Sequence, residues 1–311
     1  MDAGMEVLYN TAKFLFSCLF FMATVMSCFQ TSSQAIRADI IQEGNISDRN
    51  LSEVSGIAIS RIHKDTLWVI NDSGNSASVY ALNSKGELVS TLDIQGVPNN
   101  DWEDLASFEY EGKAYILIAD VGDNFAGRSK CFLHFIEEPD LKKVRGVSSI
   151  SAKPSWSITY TYEDGPRDCE SVAVDIVNEK IFLLSKRDIP PVLYELPLTK
   201  EKEAIAKKRV TINPLPKRFS GDTRFYESSN QPTAMDISAD GLSAVILTYG
   251  SAFCFGKEEL SSWPEAFLKP PKEILFPPMR QAESICFGKN GTNIYITSEQ
   301  LPAPLIKIKW R

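Results

Sequence analysis

Short apolar runs separated by turn residues recur along almost the whole chain beyond residue 50. The same order appears five times: a short apolar strand, a tight turn, a more apolar strand, a polar loop and a third strand. Apolar runs of this length, bounded by Gly, Asn, Asp and Pro, predict β-strands. The predicted first strands are Ser55–Ser60, Glu103–Phe108, Glu170–Asp175, Thr233–Ser238 and Glu283–Gly288.

The second and third strands of each repeat are equally regular. The second strands are Asp65–Asp72, Lys113–Asp120, Glu179–Lys186, Leu242–Tyr249 and Thr292–Glu299. The third strands are residues 78–83, 131–138, 192–198, 252–257 and 304–310. Helical periodicity is scarce beyond the N-terminal segment; its best example, residues 199–210, is too short and charged to organise a fold.

A repeat of about 50–65 residues, with three visible strands and room for a fourth, is typical of a β-propeller blade. We therefore predict an all-β fold, a single β-propeller of four-stranded blades, with five blades visible and six allowed by the length. A two-sheet sandwich is the alternative, but a sandwich would not repeat the same three-strand unit along the chain. The predicted domains are a signal peptide at 1–28, a tether and first outer strand at 29–50, and the propeller at 51–311.

The N-terminal segment predicts export. Lys13 precedes an apolar stretch, Phe14 to Met26, that has the length of a signal-peptide core and is short for a membrane span of ~20 residues. The following Val25 to Cys28 resembles a bacterial lipoprotein processing box, which makes Cys28 the candidate lipidation site and the lipid the only membrane contact. An ordinary cleaved signal is the alternative. The expected location is periplasmic, anchored to the cell envelope, or secreted.

Composition excludes several classes of function. The chain carries 33 Lys and Arg against 40 Asp and Glu and has no long basic run, so we expect no nucleic-acid partner. Only two histidines exist, His63 in a turn and His134 in the middle of a strand, so neither a Ser-His-Asp triad nor a histidine zinc site is expected. The cysteines beyond the signal have no C-x-x-C spacing. They are Cys131, Cys169, Cys254 and Cys286. Export would permit disulfides between them, but three of the four, Cys131, Cys254 and Cys286, lie in strand-like runs, so small core residues are the expectation.

Acidic and polar residues gather in two classes of loop. In a four-stranded antiparallel blade, the loop entering the first strand and the loop leaving the second strand lie on the same face. The acid-rich stretches, among them "NNDWED" and "ADVGDN", occupy these two classes and should converge at one mouth of the central channel. The residues expected around that mouth are Ser55, Asp72, Glu103, Asp104, Asp120, Asp123, Asp168, Glu170, Lys186, Arg187, Thr233, Glu283 and Glu299.

Facing carboxylates repel one another unless a cation or a basic residue compensates them. Ca²⁺ binds six to eight oxygen ligands and accepts carboxylates and carboxamides alike. The predicted metal ligands are Asp72, Asp104, Asp120, Asp123 and Asn124. For any one of these acids, an ordinary role in turn geometry is an equally good interpretation.

A catalytic arrangement follows if the metal is present. The predicted catalytic residues are Glu103 or Glu170 as general base, and Lys186 and Arg187 as contacts for a small anionic substrate. A salt bridge to neighbouring acids is the alternative for the two cations, and packing between blades is the alternative for Trp102. The candidate substrate-binding residues are Trp102, Asp168, Thr233, Glu283 and Glu299.

The motifs "DWEDLA", "YILIADVGDN", "QPTAMDISADG" and "ESICFGKNGTNIYITSE" resemble a family of secreted bacterial β-propeller proteins of largely unassigned function. The resemblance extends from Glu53 to Trp310. More distantly, the chain is similar to β-propeller phytases, their esterase-like relatives and the gluconolactonase group. That similarity implies Ca²⁺ at the mouth and hydrolysis of phosphate esters or lactones, although no motif of those groups matches residue by residue. The alternative function is a non-catalytic propeller that binds an envelope glycan or peptide.

Overall fold

The computed structural model describes residues 35–143, 149–220 and 223–309. Strands dominate these residues, and the one α-helix among them is a single turn, α1 (Trp263–Ala266), with Ser262 as its N-cap. No helix in the described ranges is long and apolar enough to cross a membrane. The candidate signal peptide and Cys28 lie outside the described residues.

In chain order the strands are β1 (Ala35–Arg37), β2 (Asp39–Ile46), β3 (Val54–Ile59), β4 (Thr66–Asn71), β5 (Ser78–Asn83), β6 (Leu88–Ile94), β7 (Trp102–Tyr110), β8 (Lys113–Asp120), β9 (Cys131–Glu137), β10 (Ser149–Ala152), β11 (Trp156–Tyr162), β12 (Cys169–Asp175), β13 (Lys180–Ser185), β14 (Val192–Pro197), β15 (Glu203–Thr211), β16 (Pro232–Ile237), β17 (Ser243–Thr248), β18 (Ala252–Gly256), β19 (Lys272–Leu275), β20 (Ala282–Phe287), β21 (Asn293–Ser298) and β22 (Ala303–Lys309). All fifteen strands of the predicted repeat are present within a few residues of their expected bounds.

The strands form five four-stranded antiparallel groups. They are β3–β6, then β7–β9 with β11, then β12–β15, then β16–β19, and finally β20–β22 with β2. The N-terminal β2 is thus the outermost strand of the last group. Parallel pairing of β11 with β15 joins the second and third groups into one eight-stranded sheet, and β10 and β1 add in parallel to β6 and β19.

Residues 199–210 show that pairing overrides local periodicity. The segment with the best helical pattern lies mostly in β15, which pairs with β14 on one side and with β11 on the other. Two neighbours satisfy its backbone groups, and its charged side chains face solvent, so the strand is favoured over a short charged helix.

The first strands of the five groups contact one another in a closed ring, in the order β3, β7, β12, β16, β20 and back to β3. Five hydrophobic clusters of described residues lie between consecutive groups, including one between the fifth group and the first. The core is therefore divided into five interfaces rather than concentrated between two layers. The four cysteines beyond the signal are free and buried, so Cys131, Cys254 and Cys286 are the small core residues that the sequence predicts, and Cys169 is one as well.

Two buried carboxylates tie the ring together along its centre. Asp104 Oδ2 accepts hydrogen bonds from the backbone N–H of Val172 (2.8 Å) and of Met235 (3.3 Å), and Oδ1 accepts from Leu105 N (2.8 Å). Asp236 Oδ2 accepts from Phe287 N at 2.8 Å. Strand β7 is thereby joined to β12 and β16, and β16 is joined to β20.

His134 provides a test of stability against pH. It is buried in β9, with Nδ1 2.8 Å from Ser157 Oγ and its ring stacked on Phe132. Burial lowers the pKa of His134 to about 4. Because this folded-state pKa lies below the unfolded value of ~6.5, the stabilisation is present above pH 6.5 and is lost as the pH falls to 4.

We therefore expect the wild type to lose about 3 kcal/mol more unfolding free energy than His134→Leu between pH 7 and pH 4. Urea unfolding of both proteins at the two pH values measures this difference. Acidic residues titrate in both proteins and cancel. Equal losses in the two proteins would show that His134 is not buried in its neutral form.

Candidate functional site

Two overlapping groups of carboxylates lie at one end of the ring. Asp72, Asp101 and Glu103 each offer one oxygen, and these oxygens all lie within 4.8 Å of one another. The same holds for Glu103, Glu170 and Glu283, so Glu103 belongs to both groups. The three glutamates are buried, whereas Asp72 and Asp101 are partly exposed. We call these five residues the acidic mouth.

A β-bulge at the start of each first strand sets this geometry. In all five groups the pairing register of the first strand shifts around its second residue, and a bulge re-aims the side chain that it carries. Two of these residues bind the neighbouring first strand: Ser55 Oγ donates to Trp102 O, and Thr233 Oγ1 donates to Ala282 O, each at 2.8 Å. The other three positions are Glu103, Glu170 and Glu283, which leaves the glutamates to form the mouth.

Gly122 makes room for the acids. A Cβ at this position would lie 2.3 Å from Glu103 Oε1 and 2.5 Å from Asp101 Oδ2. The residue does not have a positive φ. The "ADVGDN" loop therefore needs glycine because two carboxylates pack against its backbone, and not because of a left-handed backbone conformation.

Lys186 is a buried cation among the glutamates. Its ammonium forms an ion pair with Glu170 Oε2 and lies 5.2 Å from the centre of the Tyr249 ring. Although burial lowers it, the pKa of Lys186 is raised well above its usual value by Glu170 and Glu283. The alternative prediction for this residue, a salt bridge to a neighbouring acid, is confirmed.

The acidic mouth holds more negative charge than Lys186 compensates. Burial, followed by the charges of Glu170 and Asp72, raises the pKa of Glu103 well above its usual value. Burial and Asp72 raise the pKa of Asp101 to about 6. Beside the mouth, burial and then Glu283 raise the pKa of Glu299 to about 9, and Gln281 Nε2 donates to its carboxylate at 2.8 Å. An added cation would relieve this repulsion.

The other acids of the "ADVGDN" loop are bound within the loop and its surroundings. Asp120 is buried, and its carboxylate accepts from Arg128 Nη2 and Asn100 Nδ2, each at 2.7 Å. Asp123 accepts from the backbone N–H of Gly127 and of Arg128, each at 2.8 Å. These oxygens are used in shaping the loop, so the structure does not bring either predicted metal ligand into the acidic mouth.

A second polar network lies at the rim. Arg187 Nη2 donates to Asn124 Oδ1, and Arg187 Nε lies 2.6 Å from Asp168 Oδ2. The other oxygen of Asp168 accepts from Asp123 N at 3.0 Å. The Arg187 side chain remains 47% exposed. Arg187 is therefore paired yet accessible, while Asn124 and Asp168 serve as its partners.

Two further candidates are buried away from the acidic mouth. Trp102 packs in the cluster between the first and second groups, and its Nε1 donates to Pro98 O at 3.2 Å. This is the packing that the sequence offered as its alternative role. Asp104 follows Glu103 directly, but its oxygens accept the backbone hydrogen bonds of the ring rather than joining the carboxylate groups.

Sequence reasoning missed three residues of the site. Asp101 lies in the "NNDWED" stretch but was not placed at the mouth. Tyr249 has the position in the fourth repeat that Asp72, Lys186 and Glu299 have in theirs, and this alignment could have found it. No sequence signal pointed to Arg128, since its contact with Asp120 depends on how the loop folds back.

No family model matches the chain, and no curated protein matches it. Among solved structures, the WD40 domain of Pan2 from Neurospora crassa is similar over 85% of this chain and 65% of its own, with 9% identity and a TM-score of 0.31. A 6-phosphogluconolactonase candidate from Bacteroides uniformis is similar over 83% of this chain and 67% of its own, with 12% identity and a TM-score of 0.38. The chain thus spans just under two thirds of the first structure, and at these TM-scores neither likeness assigns a function.

Proposed function

We propose that the chain is a single five-bladed β-propeller whose acidic mouth binds a divalent cation, with Ca²⁺ as the best fit. The fold part of the proposal is supported by the closed ring of first strands and by the five clusters between consecutive groups. The cation part is supported by one observation above all: three carboxylate oxygens lie within 4.8 Å of one another with two of their residues open to solvent.

The cation site is Asp72, Asp101 and Glu103. The other carboxylate group already contains the Lys186 ammonium, which is paired with Glu170. A second cation there would have to displace a buried lysine, whereas in the part of the chain that the structure describes neither Asp72 nor Asp101 forms an ion pair. Ca²⁺ accepts three carboxylates and completes its six to eight ligands with water or with substrate oxygens. Water or substrate can reach the site because the two aspartates are partly exposed.

A metal-dependent hydrolase is the function that this arrangement supports best. A bound cation would polarise a carbonyl or phosphoryl oxygen and lower the pKa of its water. Glu170 adjoins the cation site through Glu103 and is the proposed general acid or base, while the exposed Arg187 is the proposed contact for an anionic group of the substrate. Phosphate esters and lactones are the proposed substrates.

We also propose export, with Cys28 as lipid anchor and the cell envelope as the location.

The cation site is tested by thermal unfolding of the protein in EDTA, Ca²⁺ or Mg²⁺. A ligand at ~100 times its dissociation constant stabilises the folded state by about 2.7 kcal/mol, which raises the unfolding midpoint by several degrees. We expect this rise with Ca²⁺ in the wild type and its loss in Asp101→Asn and Asp72→Asn. The matched control is Asp188→Asn, because Asp188 forms an ion pair with Arg167 outside the acidic mouth. No rise with any ion would refute the cation site.

A non-catalytic binding propeller is the second candidate. It is favoured by the Lys186–Glu170 pair, since this buried ion pair occupies the proposed general acid or base and one of the predicted substrate contacts. The two proposed functions are distinguished by measuring whether the Ca²⁺-loaded protein hydrolyses p-nitrophenyl phosphate or a γ-lactone. Hydrolysis that is lost in Glu103→Gln supports the enzyme, whereas a Ca²⁺-dependent rise in midpoint without any turnover supports the binding propeller for a glycan or peptide.

A further inference from the structure

A cavity of about 260 Å³ lies at the opposite end of the ring from the acidic mouth. The acids stand at the beginnings of the first strands, whereas the residues around this cavity stand at or just beyond their ends. All five groups contribute: Arg61 from the first, Ser107 to Glu109 from the second, Val174 and Ile176 from the third, Ile237 and Ala239 from the fourth, and Lys289 from the fifth. The cavity is the other mouth of the same ring, and we call it the basic pocket.

Arg61 is a buried cation in the wall of the basic pocket and is 8% exposed. Its Nε and Nη2 donate to Ser107 O at 2.9 and 2.6 Å. Among residues 35–143, 149–220 and 223–309, Nη1 has no hydrogen-bond partner, and the guanidinium forms no ion pair. Burial keeps most water away from the guanidinium, so its free N–H group favours an anionic acceptor from the pocket.

Lys289 adds a second cation at the same place. Its ammonium donates to Arg61 O, and the side chain is exposed at the pocket opening. The buried carboxylate of Asp236 lies close enough to attract Arg61, and it also accepts from the backbone N–H groups of Ile237 and Phe287. Glu109 is the acid at the pocket edge; it is exposed, so solvent screens its repulsion of an anion.

The rest of the basic pocket is apolar. Phe108, Val174 and Ile237 are buried and line its wall, and Ile176 is partly buried beside them. A site with two cations on one side and apolar side chains on the others matches a ligand that has an anionic group at one end and an apolar body at the other. Such sites are concave, mostly apolar, and oriented by a few polar groups.

We propose that the basic pocket binds a small organic anion, a carboxylate attached to a compact apolar body. The carboxylate accepts from Arg61 Nη1 and from the Lys289 ammonium, and the apolar body contacts Phe108, Val174 and Ile237. The site is independent of the acidic mouth, because the two lie at opposite ends of the first strands.

Isothermal titration of the full chain with benzoate tests the proposal, with benzyl alcohol as the neutral analogue and inorganic phosphate as the anion without an apolar body. We expect saturable binding of benzoate, and at least tenfold weaker binding of the other two. Lys289→Met should weaken benzoate about tenfold, since a charge-assisted hydrogen bond contributes ~1.5–3 kcal/mol and 1.4 kcal/mol is tenfold in affinity.

Two further variants separate the pocket from a general charge effect. Ala239→Phe places a ring in the opening and should abolish binding, whereas Glu109→Gln removes the repelling carboxylate and should tighten it. Lys202→Met, an exposed lysine directly before the outer strand of the third group, is the matched control and should bind like the wild type. The proposal would be overturned if the wild type did not bind benzoate. It would also be overturned if Lys289→Met and Ala239→Phe both bound benzoate as tightly as the wild type does.

Discussion

Replacing Asp104 with alanine should lower the free energy of unfolding by ~4 kcal/mol or more. The carboxylate accepts from Leu105, Val172 and Met235, three backbone N–H groups on three different first strands. Each buried donor left without an acceptor costs about 1–3 kcal/mol, and the alanine provides no acceptor for any of them. Urea unfolding followed by circular dichroism measures the loss.

The comparison that isolates this effect is Asp175→Ala. Asp175 is equally buried at the end of β12, but among the described residues its carboxylate binds only Asn178, within the following turn. We expect a loss of about 1 kcal/mol there, because the contacts are local and can be replaced by water. Asp104→Asn should fall between the two, since it keeps one carbonyl oxygen. If Asp104→Ala lost no more than Asp175→Ala, then Asp104 would not be what joins the first strands.

Replacing Lys186 with methionine should lower the free energy of unfolding by ~3–5 kcal/mol at pH 8. The substitution keeps the apolar stem but removes the ammonium that faces Glu170, Glu283 and Glu103. Breaking a buried ion pair in this way leaves uncompensated charge in a medium that solvates it poorly. Chemical unfolding at pH 8 gives the magnitude.

The loss should be smaller at pH 5. Burial raises the pKa of Glu170 to about 8 even with Lys186 present, and the unfolded value is ~4.5. Between these values the folded state holds a proton that the unfolded state releases, so stability falls as the pH rises. Without the ammonium the glutamates bind protons more tightly, which lowers the cost of the substitution in acid.

Two controls accompany Lys186→Met. Lys180→Met removes a lysine that is 39% exposed and paired with Glu195, and it should cost at most about 1 kcal/mol. The double variant Lys186→Met, Glu170→Gln should recover most of the lost stability, because it removes both halves of the pair. A stronger rise in midpoint with Ca²⁺ in Lys186→Met than in the wild type would show that the ammonium is the resident cation of the buried glutamates. A loss that is identical at pH 5 and pH 8 would contradict the electrostatic explanation.

Local sequence patterns predicted much of the architecture. Alternation of apolar runs and turn residues determined the strand bounds, because a strand needs only its own side chains to define which faces are buried. The repeat also aligned Ser55, Glu103, Glu170, Thr233 and Glu283 as equivalent positions, and the structure places all five at bulges. The conflict at residues 199–210 arose because their pattern is helical while their neighbours are strands.

Tertiary structure alone decided which of the acids meet. Asp104 and Glu103 are adjacent in sequence, yet one binds backbone N–H groups at the centre of the ring and the other joins the acidic mouth, because successive residues of a strand point in opposite directions except at the bulge. Asp120 accepts a hydrogen bond from the Arg128 side chain, and Asp123 accepts one from the Arg128 backbone. The spacing of these residues in the sequence does not predict either contact. The basic pocket is likewise absent from any local pattern, since Arg61 and Lys289 are 228 residues apart and meet only when the fifth group closes against the first.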